Sequence, residues 1–249
     1  MLFHDSIKAV LCDIGGVLYV GDSPIEGAVE AVNSLKKYYP IRFLTNTTQK
    51  TSSQVVTKLR EMGFSIEADE VITALDVTKM FLKQHKSSAD FLLTDDAKAF
   101  FQDLQKYPQK CVVVGDAQDN FSYANLNHAF RKLLQGAKLI AIAKNRYFKD
   151  DDGVLSMDAG CFVQALEYAS VQKAMLLGKP SSSFYHLACA DMGVEPSACA
   201  MIGDDIESDI QGAQKAGLNA ILVQSGKFMP EDLERGIIPD AVIKSIADL

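Results

Sequence analysis

Short apolar runs alternate with longer amphipathic stretches along most of this 249-residue chain. The run IKAVLCD (residues 7–13) is apolar with little alternation, as in a strand that is covered on both faces of its sheet. The stretch AVEAVNSLKKY (residues 28–38) instead keeps its apolar residues at helical spacing. Strands that alternate with helices form parallel sheets flanked by helices. The pattern therefore predicts an α/β fold with a doubly wound, Rossmann-like parallel sheet.

The same alternation predicts the elements that follow. Further strands are predicted in the segments IRFLTN (41–46), EVITA (70–74), DFLLTD (90–95), CVVVGD (111–116), KLIAIAKN (138–145), KAMLLGKP (173–180), ACAMIGDD (198–205) and NAILVQSG (219–226). Helices are predicted from the capping box TSSQ (51–54) to Gly63, over residues 123–134 and 161–170, from about Ser182, and over residues 208–217. The polar, acidic segment of residues 145–160 is predicted to form a hairpin or a loop.

The middle of the chain begins a second cycle of strands and helices, and the first pattern resumes near the end. We therefore expect two domains. One is formed by both ends of the chain, residues 1–77 and 173–249, and the other is an α/β domain inserted between them over residues 78–172.

Charge and cysteine content limit the partners and the compartment. The net charge of −7 argues against general nucleic-acid binding, which relies on basic patches. The apolar runs are far shorter than the roughly 20 residues that cross a bilayer, so no membrane association is expected. The five cysteines are odd in number and scattered, and the first six residues do not resemble a signal peptide. These features predict a cytoplasmic protein.

Polar residues directly follow several of the predicted strands: Asp13, Thr45 with Asn46, Lys179, and the pair Asp204–Asp205. The carboxyl ends of strands in a doubly wound sheet form the ligand-binding crevice, so neighbouring strands would bring these groups together. Clustered carboxylates need a cation, and Mg²⁺ suits oxygen ligands. The hydroxyl, amide and ammonium groups suit phosphoryl oxygens, and an aspartate can attack phosphorus to form an aspartyl-phosphate.

Each of these features alone has a structural explanation. An aspartate at a strand end commonly caps or turns the chain, and threonine with asparagine is a frequent turn pair. Gly-Lys-Pro (178–180) is compatible with a surface turn, and GDDIESD (203–209) with a helix start that favours acidic residues. The ordered combination of all four is what favours a site.

The four motifs DIGGVL, TN within FLTNTTQK, GKP and GDDIESD resemble those of the haloacid dehalogenase superfamily of phosphohydrolases. The resemblance is to the type IIA branch, which carries a C2 cap domain, and it covers nearly the whole chain. It implies a haloacid dehalogenase-like core with the inserted segment as the C2 cap, and a small phosphorylated substrate. It also favours a homodimer, formed through the cap.

The resemblance implies a role for each matching residue. Asp13 would be the nucleophile and a Mg²⁺ ligand, with the backbone carbonyl of Gly15 and the carboxylate of Asp204 as further ligands. Lys179 would assist catalysis by offsetting the charge of Asp13. The implied phosphate-binding set comprises Asp13, Ile14, Gly15, Thr45, Asn46 and Lys179. Asp205 and Asp209 would hold the metal shell or neighbouring loops in place.

Gly15 departs from the pattern of most of the superfamily, where an aspartate two residues after the nucleophile protonates the leaving group and later activates water. Glycine has no proton to exchange, and general acid–base help is typically worth about 10²–10⁴-fold in rate. Stable leaving groups need this help least, so the sequence favours pyrophosphate, phosphoramidates and aryl phosphates. Asp205, a metal-bound water or the substrate itself remain alternative proton sources.

Three other functions compete with this one. The first alternative is a catalytically weakened phosphate-binding or interaction protein, because Gly15 replaces the residue that would act as general acid and base. A dehalogenase would have no use for the acidic Mg²⁺ motif. A response-regulator receiver would be shorter and would have no use for the inserted domain. The retained nucleophile Asp13 favours the phosphohydrolase.

Overall fold

The fold is seen in a computed structural model that describes residues 3, 6–149 and 154–249. Its strands are β1 (Ala9–Asp13), β2 (Tyr19–Val20), β3 (Ser23–Pro24), β4 (Ile41–Thr45), β5 (Val71–Thr73), β6 (Ser87–Leu92), β7 (Gln109–Val114), β8 (Lys138–Ala141), β9 (Tyr147–Lys149), β10 (Leu155–Met157), β11 (Met175–Leu176), β12 (Cys199–Gly203), β13 (Asn219–Val223) and β14 (Ala241–Ile243).

Helices connect most of these strands. The α-helices are α1 (Ala28–Leu35), α2 (Ser52–Glu61), α3 (Ala74–Gln84), α4 (Asp95–Ala99), α5 (Tyr123–Leu134), α6 (Ala159–Ser170), α7 (Ser182–Asp191) and α8 (Gly212–Lys215). A π-helix covers Ile206–Gln211, and short 3₁₀ helices cover Ala68–Glu70, Gln118–Asn120, Pro196–Ala198, Pro230–Glu234 and Ile246–Asp248. None of the helices in the described ranges is both long and apolar enough to cross a membrane.

The chain divides into two compact units. The first comprises Met1–Thr45, Ser52–Ile72 and Lys179–Leu249, and the second comprises Asn46–Thr51 and Thr73–Gly178. The domain boundaries that we expect from the sequence, at residues 78 and 172, stay a prediction.

The sheet of the first unit runs in the order β14-β13-β12-β1-β4-β5. β1 pairs in parallel with β12 and with β4, and Asp13 lies opposite Leu44 in that register. All five residues of β1 are buried, which agrees with its lack of alternation. The chain winds outward from β1 in one direction and returns on its other side, so the polar residues that end these strands meet beside β1.

Helix α1 shows how the sequence builds this core. Its buried residues are Ala28, Ala31, Val32 and Leu35, which is the spacing of one helical face. This face packs in a core cluster that includes Val10, Phe43 and Ile202 from three strands of the sheet. Fully burying a side chain of this kind contributes about 1.5–3 kcal/mol, so the central strands are strongly held.

The second unit has its own parallel sheet, in the order β11-β8-β7-β6, and its own apolar core. Strands β9 and β10 pair antiparallel, with Leu155 opposite Lys149 and Met157 opposite Tyr147. The hairpin predicted within residues 145–160 is therefore present, and its residues 150–153 lie outside the described chain.

The predicted α/β fold with a doubly wound parallel sheet is confirmed, and two local expectations need correction. The sequence groups the strand before Lys179 with those that carry Asp13 and Asp204. That strand, β11, pairs instead with β8 in the second unit. The helix predicted over residues 208–217 is π-helical over its first part, because the amides of Asp209 and Ile210 both bond to the carbonyl of Asp205.

Candidate active site

The carboxyl ends of three neighbouring strands carry polar residues in the first unit. Asp13 is the last residue of β1 and Thr45 is the last residue of β4, while Asp204 directly follows β12. Because these strands are parallel and β1 lies between the other two, the three residues lie at one edge of the sheet. This edge is the predicted position of the site.

Lys179 is held between two carboxylates at this edge. Its Nζ atom lies 2.5 Å from Asp13 Oδ1 and 2.7 Å from Asp209 Oδ1. Burial alone would lower the pKa of Lys179, but the charges of Asp13 and Asp209 outweigh it and hold that pKa well above its usual value. The side chain of Asp13 keeps 13% of its surface exposed, against 4% for Lys179 and 1% for Asp209. Asp13 is thus the member of the triplet most open to a reactant.

Three buried carboxylates come together around this lysine. Ligand atoms of Asp13, Asp204 and Asp209 all lie within 4.8 Å of one another. Burial raises the pKa of Asp204 to about 8, and the neighbouring Asp13 and Asp209 add to the rise. Burial likewise raises the pKa of Asp209 to about 7, with Lys179 opposing and Asp13 adding to the rise. Without further positive charge, Asp204 and Asp209 therefore keep protons at pH values where isolated carboxyls have lost them.

Asp204 carries a second sign that a cation belongs here. Its Oδ2 accepts a hydrogen bond of 2.7 Å from the backbone N–H of Lys227. Its Oδ1 is buried and has no hydrogen-bond partner among the residues that the structure describes. Buried polar atoms are nearly always satisfied, and oxygen donors suit a hard divalent ion. The residues present therefore fit a Mg²⁺ ion.

Asp205 serves the start of the π-helix rather than the acidic cluster. Its Oδ1 accepts hydrogen bonds from the N–H groups of Glu207 and Ser208. Burial alone would raise the pKa of Asp205, but the charge of Lys227 and these backbone bonds outweigh burial and lower it. A carboxylate that is ionised and already accepts two backbone hydrogen bonds is a poor source for the proton that a carboxyl at position 15 would supply.

The space beside the nucleophile is open at Gly15. A Cβ atom built at Gly15 meets no heavy atom of the described chain within 4 Å outside its two neighbours, and the residue is exposed. Ile14, by contrast, is buried at 1% exposure. The neighbouring Gly16 has φ +83°, and a Cβ there would lie 2.0 Å from Asp204 Oδ2. The turn after Asp13 is therefore packed against Asp204 at Gly16 and open at Gly15.

The structure brings Asp13, Lys179, Asp204, Asp205 and Asp209 together in the first unit. Thr45 ends a strand of the same unit. Asn46 begins the second unit, where its Oδ1 lies 2.7 Å from the position that a Cβ of Gly178 would take. The roles that the resemblance implies for all these residues stay predictions.

Three residues that belong to none of the four motifs also lie at this site. Ser225, Gly226 and Lys227 contact Gly16, Asp204 and Asp205. The available signal was their place after strand β13, since small and polar residues there follow a strand of the same parallel sheet. Composition alone would have marked them as an ordinary turn.

Comparison with known proteins adds the family. A model described as haloacid dehalogenase-like hydrolase matches residues 10–120, and one described as HAD-hydrolase-like matches residues 176–249. A phospholysine phosphohistidine inorganic pyrophosphate phosphatase from Xenopus laevis is 42% identical over 236 residues, which is 92% of this chain and 87% of that protein. The haloacid dehalogenase-like hydrolase domain-containing protein 2 of Pongo abelii is 42% identical over 231 residues, 92% of this chain and 89% of that one.

A solved structure agrees over almost the full length. The 4-nitrophenylphosphatase of Thermotoga maritima matches with a TM-score of 0.89 and 28% identity, covering 98% of this chain and 96% of that one.

Proposed function

This chain belongs to the haloacid dehalogenase-like hydrolases, and from that premise we propose that it is a Mg²⁺-dependent phosphohydrolase that forms an aspartyl-phosphate on Asp13. Its relatives and structural neighbours include named phosphatases, and it is an enzyme of that class. The observation that carries the proposal is the buried Lys179 ammonium, 2.5 Å from the most accessible carboxylate of the cluster.

In the proposed reaction, a carboxylate oxygen of Asp13 attacks phosphorus in line with the leaving group. The bond from phosphorus to the leaving group breaks, and the leaving group departs with the electron pair. Water then attacks the phosphoryl group and releases phosphate and the Asp13 carboxylate. Lys179 pairs with the Asp13 carboxylate and holds it in place, and the 2.7 Å contact of Lys179 with Asp209 anchors the ammonium throughout.

The ion would be held by Asp13 and Asp204, with the carbonyl of Gly15 as the further ligand implied by the family. When bound, Mg²⁺ supplies the positive charge that offsets the charge of the phosphoryl group and of these carboxylates. Asp209 contributes to the acidic cluster and also anchors Lys179. Asp205 stabilises the start of the π-helix by accepting a hydrogen bond from the N–H of Ser208.

The phosphoryl oxygens would be bound by Thr45, Asn46 and Lys179, with Ile14 and Gly15 completing the phosphate-binding set. A hydroxyl, an amide and an ammonium group can all donate hydrogen bonds to phosphate oxygens. Charge-assisted bonds of this kind stabilise the charge that develops in the transition state.

The open position at Gly15 supports a preference for substrates with stable leaving groups. No carboxylic acid stands there to protonate an alkoxide, and Asp205 has a lowered pKa. The phosphate released from pyrophosphate and the aryloxide released from an aryl phosphate depart without such help, and the nitrogen of a phosphoramidate can carry its own proton. The names of the relatives, a phospholysine, phosphohistidine and pyrophosphate phosphatase and a 4-nitrophenylphosphatase, cover the same substrate classes.

The experiment is Mg²⁺-dependent phosphate release from pyrophosphate, phospholysine, p-nitrophenyl phosphate and a sugar phosphate. Asp13→Asn serves as the matched control because it keeps the shape of the side chain and removes the nucleophilic carboxylate. We expect turnover of the first three compounds by the wild type and none by the mutant. Efficient sugar-phosphate hydrolysis would contradict the role given to Gly15. Phosphate binding without turnover would instead support the alternative, a phosphate-binding protein.

We also propose a small phosphorylated substrate, no nucleic-acid partner, a cytoplasmic location and a homodimer. The net charge of −7 opposes binding to nucleic acid.

The large side chains of Tyr168 and Val171 in the second unit are 88% and 92% exposed, which favours an interface there. Light scattering after gel filtration would give twice the chain mass of 27.2 kDa for a dimer, and the chain mass itself would exclude it.

A further inference from the structure

We propose that Ser225, Gly226 and Lys227, here called the clamp segment, position Asp204 for the cation and tie it to the turn that follows the nucleophile. This inference rests on the proposed function, because it concerns the same Mg²⁺ site. It assigns the segment a positioning role, since none of its residues belongs to the acidic cluster.

The backbone of the clamp segment selects one oxygen of Asp204. The N–H of Lys227 donates a 2.7 Å hydrogen bond to Asp204 Oδ2. The other oxygen, Oδ1, is buried without a hydrogen-bond partner among the described residues. A carboxylate that is bonded through one oxygen has the second one left for a cation, so the amide of Lys227 favours monodentate binding through Oδ1.

Gly226 permits this contact because it has no side chain. Its φ is +68°, and a Cβ atom there would lie 2.1 Å from Asp204 Oδ2 and 2.5 Å from the Cα of Gly16. A Cβ at Gly16 would in turn lie 2.0 Å from the same oxygen. Two glycines thus approach Asp204 Oδ2 from two chain segments, and any larger residue at either position would displace the carboxylate.

Ser225 links the clamp segment to the turn after the nucleophile. Its Oγ donates a 2.7 Å hydrogen bond to the carbonyl of Gly16. The side chain of Lys227 is 68% exposed and its Nζ lies 3.5 Å from Asp205 Oδ2, so this ion pair is screened by water. The positioning function therefore depends on backbone packing and on Ser225 more than on the charge of Lys227.

These contacts leave Asp204 little freedom before an ion arrives. A metal ligand that is already oriented loses less conformational entropy when the ion binds. Mutation of a residue that hydrogen-bonds to a metal ligand typically changes metal affinity by about 10–100-fold. The clamp segment should therefore influence Mg²⁺ affinity directly, in addition to any effect on turnover.

The test compares Gly226→Ala with Gly236→Ala by titration calorimetry of Mg²⁺ into the metal-free full-length protein. Both glycines have positive φ, +68° and +74°, so both substitutions strain the backbone similarly. A Cβ at Gly236 meets no described heavy atom within 4 Å. We expect Gly226→Ala to weaken Mg²⁺ binding by at least about 10-fold, and Gly236→Ala to change it less than about 2-fold.

Ser225→Ala is the second variant and decides the matter if Gly226→Ala does not fold. It keeps the backbone and removes only the bond to Gly16, so Mg²⁺ affinity should fall by about 3-fold or more. Lys227→Gln keeps the N–H that bonds Asp204, and it should weaken Mg²⁺ binding less than Gly226→Ala does. An equal loss in Lys227→Gln would assign the effect to charge and overturn the positioning role.

The outcomes separate this inference from the function on which it rests. If the wild type binds no Mg²⁺, the proposed ion site fails and the clamp inference fails with it. If the wild type binds Mg²⁺ and the folded Gly226→Ala and Ser225→Ala variants bind it equally well, the ion site stands and only the clamp inference is overturned.

Discussion

Gly15 stands two residues after Asp13, at the position where most of the superfamily carries a second carboxylate. A Cβ atom fits there, because it would meet no described atom within 4 Å outside the neighbouring residues. The glycine is therefore not required by packing. Its proposed effect is chemical, since a glycine offers no proton donor beside the proposed nucleophile Asp13, which forms a 2.5 Å ion pair with Lys179.

Gly15→Asp tests this directly. The added carboxyl can protonate an alkoxide leaving group, so kcat/KM for a sugar phosphate should rise by about 10²–10⁴-fold. Hydrolysis of p-nitrophenyl phosphate should change far less, because its leaving group needs no proton. Steady-state kinetics on the two substrates measure the difference. Gly15→Asn fills the same space without an acid and should show no gain. A sugar-phosphate rate unchanged by the aspartate would show that another group already supplies the proton.

Lys179 is the second residue whose removal gives a sharp expectation. Lys179→Met leaves Asp13 and Asp209 without their shared cation, and breaking a buried ion pair typically costs about 3–5 kcal/mol. Phosphate release should fall by at least about 10²-fold, because the nucleophile loses its charge partner. Urea denaturation in EDTA measures the loss of unfolding free energy, and phosphate-release assays measure the loss of activity.

Lys144→Met is the control for the lysine prediction, since Lys144 forms a 2.7 Å ion pair with buried Glu167 in the second unit. It should lower stability and leave phosphate release much less affected. Equal losses of activity in the two variants would mean that Lys179 acts only through stability.

At the scale of elements, the π-helix explains why residue 203 is glycine. The wide turn from Asp205 brings Asp209 against the end of β12, where a Cβ at Gly203 would lie 2.2 Å from Asp209 Cβ and 2.5 Å from its Oδ2. The same turn aims Asp209 at Lys179. Close packing of this strand end and the π-helix is therefore what anchors the lysine.

Gly203→Ala should consequently disturb the site without changing any charged group. Overpacking of this kind costs about 1–3 kcal/mol, and a displaced Asp209 no longer fixes Lys179. We expect a lower unfolding free energy and slower phosphate release, with KM affected less than kcat. Gly15→Ala is the steric control for stability, because an added methyl group there meets open space. If Gly203→Ala were as stable as the wild type, the π-helix would be able to shift away from the added methyl group at little cost in free energy.

Some of these elements can be predicted from the sequence and others cannot. The strands that end at Asp13, Thr45 and Gly203 follow from buried apolar runs, and their shared edge follows from parallel pairing. The partner of β11 does not follow, because a two-residue strand carries too little pattern to select a sheet. The π-helix and the clamp segment do not follow either. Both depend on close contacts that an apolar pattern does not encode, and a π-helix of six residues is too short to show a period of its own.

Across the whole molecule, the groups proposed to do the chemistry are concentrated in the first unit. Asp13, Lys179, Asp204 and Asp209 come from three separate stretches of chain, and their charges are brought together only by folding. Folding the metal-free protein therefore works against carboxylate repulsion, and protons or a divalent ion must relieve it. Global stability should report on this balance.

Stability of the metal-free protein should accordingly fall as pH rises from about 5 to 8. Burial, with the neighbouring carboxylates, raises the pKa of Asp204 to about 8 from an ordinary value of 3.8. Within this window the folded state holds a proton that the unfolded state has lost, so the unfolding free energy decreases with pH and levels off above the folded pKa. Asp209, whose pKa is raised to about 7, acts in the same direction. Carboxyls with lowered pKa values, such as Asp205, vary only at lower pH.

Urea denaturation in EDTA between pH 5.5 and 8.5 measures this slope, and parallel curves with Mg²⁺ measure its relief. The ion binds the deprotonated carboxylates, so the stabilisation by Mg²⁺ should grow with pH over the range in which the metal-free protein weakens. Asp204→Asn should flatten the slope in EDTA and reduce the gain from Mg²⁺ together, because one carboxylate underlies both effects. A metal-free protein that became more stable between pH 5.5 and 8 would show that the cluster is not held under charge repulsion.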